Sequence, residues 1–424
     1  MKHAMMRNLL VAGALATVTL AAACTDQQPE ASGPVPLRMA IWSANEGHLD
    51  LFESIAAGYV AEHGDQVSGV TFETLTGTSY ISALTTQIAG GNSPDLAWVQ
   101  ETNAGEFVGG GVLHDLAPTL AETPGYDLPD VLPASLDLWR NGDAIYAYPF
   151  SHSPFGMYVN LDLIKAAGQP TPETLIKSGD WTWDKVAEIA AATAKQTGKG
   201  GLTVPWETWD QLAPWWAGWG AAGWSADGAT CTFTSPEMKE FFGWLHRGTY
   251  QTGAMIKPGD SLPFAGGEAA FSVGQLSLSG SLDGFSWDFV PLPAGPKATV
   301  NMVGQAGVGV IARGPNPERA ADFLAYFTDQ TQGAELATFF PPPRTSLLTV
   351  DTFKKAAPKL SEEQIQRTIL DVVPKATTKP GHPRFSQFTD LVKKDLDVAF
   401  APDGDLGAAL DQVCADLQPL LQTN

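Results

Sequence analysis

Short unbroken apolar runs and longer stretches of helical spacing alternate along this chain. Residues 37–42 (LRMAIW) form an apolar run suited to a buried strand; a polar stretch from Ser43 to Gly47 follows, and Leu51, Phe52, Ile55 and Tyr59 then recur at helical spacing. The unit repeats: residues 70–74 read as a strand, 75–79 as a polar loop, and Ile81, Leu84 and Ile88 as one face of a helix, with a third strand over 95–99. Residues 155–160 are a further strand candidate. Trp183, Val186, Ile189, Ala190 and Thr193 mark a helix that opens a second lobe, with Thr182 or Asp184 near its start. Asn316-Pro317-Glu318 predicts another helix start, Asn316 as the capping side chain and Ala320, Phe323, Leu324 and Phe327 as the apolar face. This alternation predicts α/β layers around mostly parallel strands.

In such sheets ligands gather where loops leave the carboxyl ends of the strands. Three loops share that rim: Ser43, Asn45 and Glu46 after the first strand, Thr76 to Tyr80 with Thr78 after the second, and Gln100, Glu101 and Thr102 after the third. Each of these residues either caps its helix or touches a ligand, and the pattern alone leaves both readings open.

The amino terminus sets the compartment. Lys2 and Arg7 precede an Ala-rich apolar run that is shorter than the ~20 residues of a spanning helix and ends in Ala21-Ala22-Ala23 before Cys24, the form of a signal peptide over residues 1–23. A Cys directly after that site resembles a bacterial lipobox, although Leu20 stands one place before its usual position; Cys24 is expected to carry lipid, with residues 24–36 as a flexible tether on the outer face of the cytoplasmic membrane. The chain of 424 residues is long enough for two lobes. Its formal charge of −21, two units more negative once Lys2 and Arg7 are removed, favours solubility and argues against nucleic-acid partners. Cys231 and Cys414 either form a disulfide or remain separate buried thiols.

Eight of the 13 Trp residues fall between Trp181 and Trp224. A sugar ring has an apolar face and a rim of hydroxyls, so its binders combine flat aromatic surfaces with short polar side chains. Trp206-Glu207-Thr208-Trp209-Asp210 has that mixture, whereas Trp215, Trp216 and Trp219, at helical spacing, read as core. Glu207 and Asp210 would have to flank a bond at ~5 to 10 Å to act as a glycosidase pair, which adjacency in sequence does not establish. There is no G-x-S-x-G, H-E-x-x-H or P-loop, and the seven His residues show no paired ligand spacing. Gly307-Val308-Gly309 fits a loose dinucleotide fingerprint but reads as strand interior. The expectation is a binding protein without catalytic residues, cofactor or metal.

Taken in order, several segments resemble the family 1 extracellular solute-binding proteins of carbohydrate ABC importers, the maltose-binding-protein-like group. They are Asn92-Ser-Pro94-Asp95-Leu96, Gly111-Val-Leu113-His-Asp115-Leu116, Tyr146-Ala-Tyr148-Pro149, Tyr158-Val-Asn160-Leu-Asp162-Leu163, Thr182-Trp183-Asp184, Phe264-Ala-Gly-Gly267-Glu-Ala-Ala270-Phe271, Pro291-Leu-Pro293-Ala-Gly295 and Asn316-Pro-Glu318. The resemblance implies a type II periplasmic-binding-protein fold, two α/β lobes with a hinge and an interlobe ligand cleft. It places lobe I over 37–148 plus 297–346 and lobe II over 149–296 plus 347–424. Carried over residue by residue, it implies cleft positions at Ser43, Asn45 and Glu46, at Gln100 and Glu101, at Glu207 and Trp209, in the loop 279–283 with Ser281 and Asp283, at Gly304 and Gln305, and at Arg344. Where the family often has a stacking Trp this chain has Gln275-Leu276, so Trp206, Trp209 or Phe385 is expected to supply the ring.

The function implied is capture of a mono- to oligosaccharide by a monomer and delivery to the permease subunits of an ABC importer. Asn45, Glu101, Glu207 and Arg344 would bond hydroxyls, and Trp209→Ala would weaken binding while leaving folding nearly intact. The rival ligand is a glycerophosphodiester or other phosphate-bearing solute held around Thr78 and Arg344. More distant readings are a secreted carbohydrate-active enzyme and a structural surface lipoprotein.

Overall fold

The computed structural model describes residues 33–75 and 80–422. The signal peptide, Cys24, the tether as far as residue 32, and Thr78 lie outside them. The described chain carries β1 (Val35–Ile41), β2 (Val67–Thr74), β3 (Leu96–Gln100), β4 (Arg140–Asn141), β5 (Ala144–Ile145), β6 (Tyr148–Pro154), β7 (Gly156–Asn160), β8 (Gly200–Leu202), β9 (Ala269–Gly274), β10 (Trp287–Pro291), β11 (Met302–Val310) and β12 (Thr377–Thr378). The first sheet runs β12-β11-β3-β1-β2, with β6 also on β11. β1 is parallel to β2 and β3 (Met39 opposite Phe72 and Leu96), while β11 is antiparallel to β3 and β6. The second sheet, β10-β7-β9-β8, mixes antiparallel pairs with a parallel β8–β9 pair.

Phe155 alone separates β6 from β7, so there the chain steps from one sheet to the other. It returns between β10 and β11, and leaves again after β12 toward the helix Phe385–Ala399. The expected boundary at 148/149 therefore shifts: Ser153 opposite Gly304 and Pro154 opposite Val303 keep 149–154 in the first sheet. In the segment 347–373, Phe353, Leu360, Ile365 and Ile369 build an apolar cluster of their own with Leu276, Val303 and Ala337, while Arg367 pairs with Asp288 and Thr368 Oγ1 donates to Phe289 O at 2.9 Å, tying the segment to β10 of the second sheet; the helices Phe385–Ala399 and Leu406–Gln422 join the second lobe's core.

Helical spacing explains the first lobe. On the helix Glu46–His63, Phe52, Ile55 and Tyr59 are buried, and Phe52 meets Phe72, Trp98, Phe327 and Phe340 at 5.5–5.8 Å between ring centres. Each such buried ring contributes about 1.5–3 kcal/mol. Asn316 does not cap its helix, Pro317–Phe327, through its side chain; that amide donates to Asp95 Oδ1 at 3.1 Å and ties the helix to the start of β3 instead. Gly307 lies inside β11, where a Cβ would come within 2.7 Å of the Trp139 ring, so its role is close packing rather than phosphate binding.

The second lobe is built on tryptophan. Trp183 stacks on Trp215 at 4.7 Å, and Trp216 and Trp219 meet Phe241 edge-on. Cys231 and Cys414 are bonded, with Cα atoms 5.4 Å apart across 183 residues, which fastens the helix Leu406–Gln422 to the loop after Trp224.

Candidate functional site

The first lobe's rim begins where β1 ends. Trp42 is half-buried there, edge-on to Tyr80 and Trp98 at 5.4 and 4.7 Å. Asn45 is the N-cap of the helix Glu46–His63: its Oδ1 accepts from the His48 amide at 3.2 Å, and its own backbone N–H donates to Ser43 Oγ at 3.2 Å. Ser43 Oγ also lies 2.7 Å from His48 Nδ1. The remaining end of Asn45 crosses to the other lobe, Nδ2 donating to Ser281 Oγ at 3.4 Å. Phe339, half-buried, stands between the same two elements: Cβ atoms at Gly47 and Gly280 would fall 3.3 and 2.5 Å from its ring.

Beyond the carboxyl ends of β8 and β9 lies a cavity of about 300 Å³. Its polar lining is Thr203, Gln211, Ser272 and Gln275, with Phe155 and Trp215 as buried rings. Thr203 Oγ1 donates to Ser272 Oγ at 2.8 Å, which leaves the serine proton free for an acceptor. Gln275 Nε2 reaches Ser153 O and Gly304 O at 3.1 and 3.3 Å, bracing the cavity against β6 and β11 of the first sheet. A Cβ at Gly304 would meet the Gln275 amide at 2.5 Å, so any other residue there would push that amide out of its present place. Among the described residues no Lys, Arg, Asp or Glu lines this cavity.

A buried ion cluster joins the lobes nearby. Glu101, just after β3, and Asp210, from the second lobe, both hold Lys379 of the last crossover, at 3.0 and 2.6 Å. Burial opposes the Lys379 charge, but the Asp210 and Glu101 carboxylates outweigh it and hold the ammonium above its ordinary range. Beside it Asn103 donates to Ser386 at 2.8 Å, and Ser386 donates to Glu106 at 2.7 Å, again linking the first lobe to the helix Phe385–Ala399.

Two lobes with opposed polar loops and repeated crossovers match a known pattern: residues 55–360 fit the model of the bacterial extracellular solute-binding proteins. The chain belongs to that family. A curated relative of this solute-binding protein, an uncharacterised lipoprotein from Streptomyces antibioticus encoded in the oleD 5′ region, is 27% identical over 205 residues, 47% of this chain and 42% of the relative's length. The match thus spans less than half of that relative. Among solved structures, the Listeria monocytogenes ABC substrate-binding protein Lmo0181 in complex with cycloalternan superposes with a TM-score of 0.81 at 20% identity, over 92% of this chain and 100% of that one. The maltose-bound MalE3 of T. maritima gives 0.77 at 18% over 91% and 100%. UgpB of Mycobacterium tuberculosis in complex with glycerophosphocholine gives 0.76 at 19% over 92% and 99%. At these identities the likeness establishes the fold, which is the maltose-binding-protein-like, two-lobed one.

The positions expected to form the site divide sharply in this solute-binding protein. Ser43, Asn45, Ser281, Glu101 and Gly304 stand at the junction as described, and Gln100 ends β3 half-buried opposite Ala306. Glu46 is exposed in the first helical turn. Gln305 is buried, accepting from Trp139 Nε1 at 2.8 Å and donating to Ser135 O and His152 Nδ1. The aromatic expectations require correction. Trp206 packs edge-on against Phe400 and gives its indole proton to Ile256 O at 2.8 Å; Trp209 is stacked between Phe385 and Trp216 and donates to Thr389 O. None of Trp206, Trp209 and Phe385 has a ring face to offer, because each is used in the core.

The expected charged contacts fail for opposite reasons. Glu207, 80% exposed, pairs with Lys393, and Asp283, 81% exposed, with Lys359. Arg344 is fully buried: its Nε and Nη2 donate to Thr328 O, Nη1 donates to Asp127 O, and its guanidinium lies 4.7 Å over the Tyr126 ring. The Gln275 position had been visible as a departure from the family pattern. Trp42, Phe339, Gln211 and Lys379 were missed; Trp42 was the last letter of a strand, and Lys379 lies 169 residues from Asp210, with no local signal to join them.

Proposed function

We propose that this solute-binding protein captures a carbohydrate between its lobes and delivers it to the permease of an ABC importer, held at the outer face of the cytoplasmic membrane by lipid on Cys24. The observation that carries the ligand class is the neutral lining of the cavity beyond β8 and β9: two hydroxyls and two carboxamides, with buried rings behind them and no cation. Such groups give and accept hydrogen bonds with neutral hydroxyls, whereas a phosphate calls for Arg, Lys or a set of backbone amides. The glycerophosphodiester reading loses its cation, since Arg344 is spent on carbonyl groups and Tyr126 inside the first lobe. Cycloalternan and maltose, held by two of the structurally similar proteins, belong to the proposed class.

In this reading Trp42 supplies the ring face that Trp206 and Trp209 lack, and Asn45, Ser272 and Gln211 bond hydroxyls. The binding groups are uncharged and, among the described residues, no pair of carboxylates lines the cavity, which supports retention of the ligand rather than its hydrolysis. Trp42→Ala and Gln211→Ala test the assignment by calorimetric titration with the sugar that binds best. Each is expected to weaken binding by roughly tenfold or more, the value of one lost stacking contact or hydrogen bond; thermal unfolding checks that each variant is folded, because Trp42 also packs on Tyr80 and Trp98. Wild-type affinity in both variants would remove this cavity and the β1 rim from the site.

A further inference from the structure

A second cavity, of about 460 Å³, opens on the first lobe between the last turns of the helix Glu46–His63, the turn 123–126 and the helices Pro317–Phe327 and Gln330–Leu336. Gln66, which immediately precedes β2, is part of its wall, so it lies at the amino ends of the strands. Along the helix that starts at the ligand rim, Glu46 and the cavity residue Tyr59 are about 20 Å apart at 1.5 Å per residue.

The wall is acidic and aromatic. Asp322 and Asp329 line it with Tyr59 and Tyr326, whose rings are 5.2 Å apart. Glu62 acts electrostatically on Tyr326 and Asp329, Asp65 on Tyr59, and Glu318 on Asp322. The carboxyl end of the helix Glu46–His63 adds its partial negative charge. Against these stand Arg319, which donates to Gln66 Oε1 at 2.5 Å; Arg344, occupied over Tyr126; and His63, stacked on Tyr59 at 4.5 Å. The balance is negative.

Tyr59 provides an independent sign of a ligand. It is 2% exposed, it lines the cavity, and its buried hydroxyl has no hydrogen-bond partner within the described chain. Burial first, and then the Asp322 carboxylate, push that phenol above its ordinary range, so it stays a neutral hydroxyl whose oxygen can accept a hydrogen bond. Among the described residues no three His, Cys, Asp or Glu side chains converge as metal ligands. Two carboxylates, a ring face and a phenol oxygen suit an organic cation rather than a metal ion, which demands more oxygen ligands.

We propose that this cavity is a second binding site, for a small primary ammonium ion: Asp322 and Asp329 supply the opposing charge, the Tyr326 ring packs on the alkyl and ammonium groups, and the Tyr59 hydroxyl accepts an N–H bond. A cavity of this volume is in the range of small-molecule sites. The site is independent of the carbohydrate cleft, and its failure would leave that reading untouched.

The test is titration of the full-length protein with n-butylammonium chloride and, as the neutral isostere, n-butanol, at low ionic strength because Asp322 is exposed. Saturable binding of n-butylammonium, absent with n-butanol, is expected in the wild type. Asp322→Asn, Asp329→Asn and Tyr59→Phe should each weaken it by roughly tenfold, as for a lost charged hydrogen bond. Asn preserves the capping oxygen that Asp329 offers Gln332, and thermal unfolding of each variant checks that the fold persists. Trp42→Ala should leave n-butylammonium binding unchanged. No saturable binding, equal binding of the alcohol, or unaltered affinity in folded Asp322→Asn and Asp329→Asn variants would overturn the proposal.

Discussion

His152 and His48 are bases held away from water, and burial lowers both to about 4. His152 Nδ1 accepts from Gln305 Nε2 at 2.8 Å, so the ring is neutral with its proton on Nε2; His48 packs against Phe339 and Phe340. In the unfolded chain both titrate near 6.5, so the unfolded state takes up protons first as the pH falls. Their contribution is fully present above that value and is lost progressively toward pH 4, on the order of 3 kcal/mol for each. Denaturant midpoints measured between pH 7 and pH 4 should show that decline, and His152→Gln should make it shallower. A flat profile would mean that water reaches these rings. For Trp209 the expectation from sequence reverses: Trp209→Ala, intended as a binding variant, removes a ring packed on Phe385 and Trp216 and should cost about 3–5 kcal/mol of stability, read from the same denaturation curves.

At the level of elements, long-range pairs hold together what local pattern cannot. Lys379 lies between Glu101 and Asp210 in the ion cluster that joins the lobes. Lys379→Met would leave two carboxylates facing each other under cover and should cost about 3–5 kcal/mol, much of it recovered in the triple variant with Glu101→Gln and Asp210→Asn. A Lys379→Met protein as stable as wild type would show that the cluster is solvated. The bond between Cys231 and Cys414 restrains the unfolded chain across 183 residues, and its reduction should lower stability by about 2–5 kcal/mol. The repeated strand, loop and helix units of the first lobe were legible because apolar spacing is a local signal, as at Phe52, Ile55 and Tyr59. The side-chain partners were not: Asn316 has the sequence of a cap and bonds Asp95 instead, and an Arg followed by Thr-Ser gives no hint that its guanidinium is enclosed by Tyr126 and Thr328.

For the whole molecule, two lobes, a hinge of crossovers and a polar junction were readable from the order of motifs, and the family match bears out the recognition. The proposed ring platform was not readable, because tryptophans that build a core and tryptophans that stack on a ligand have the same local spacing; burial separates half-buried Trp42 from the buried Trp206 and Trp209. Closing two lobes on a ligand requires contacts that exist only when both reach it. At the junction the two sides already meet directly, Asn45 Nδ2 donating to Ser281 Oγ and Phe339 lying beside Gly280. The central claim is that the ligand is a neutral carbohydrate. Thermal unfolding of the chain from Ser32 onward, against mono-, di- and oligosaccharides and glycerophosphodiesters, tests it most directly. A ligand at ~100 times its dissociation constant adds ~2.7 kcal/mol, a rise of a few degrees for a protein of this size. The account predicts a selective rise with one class of sugar and none with phosphodiesters; a rise with phosphodiesters alone, or no response to any sugar, would contradict it.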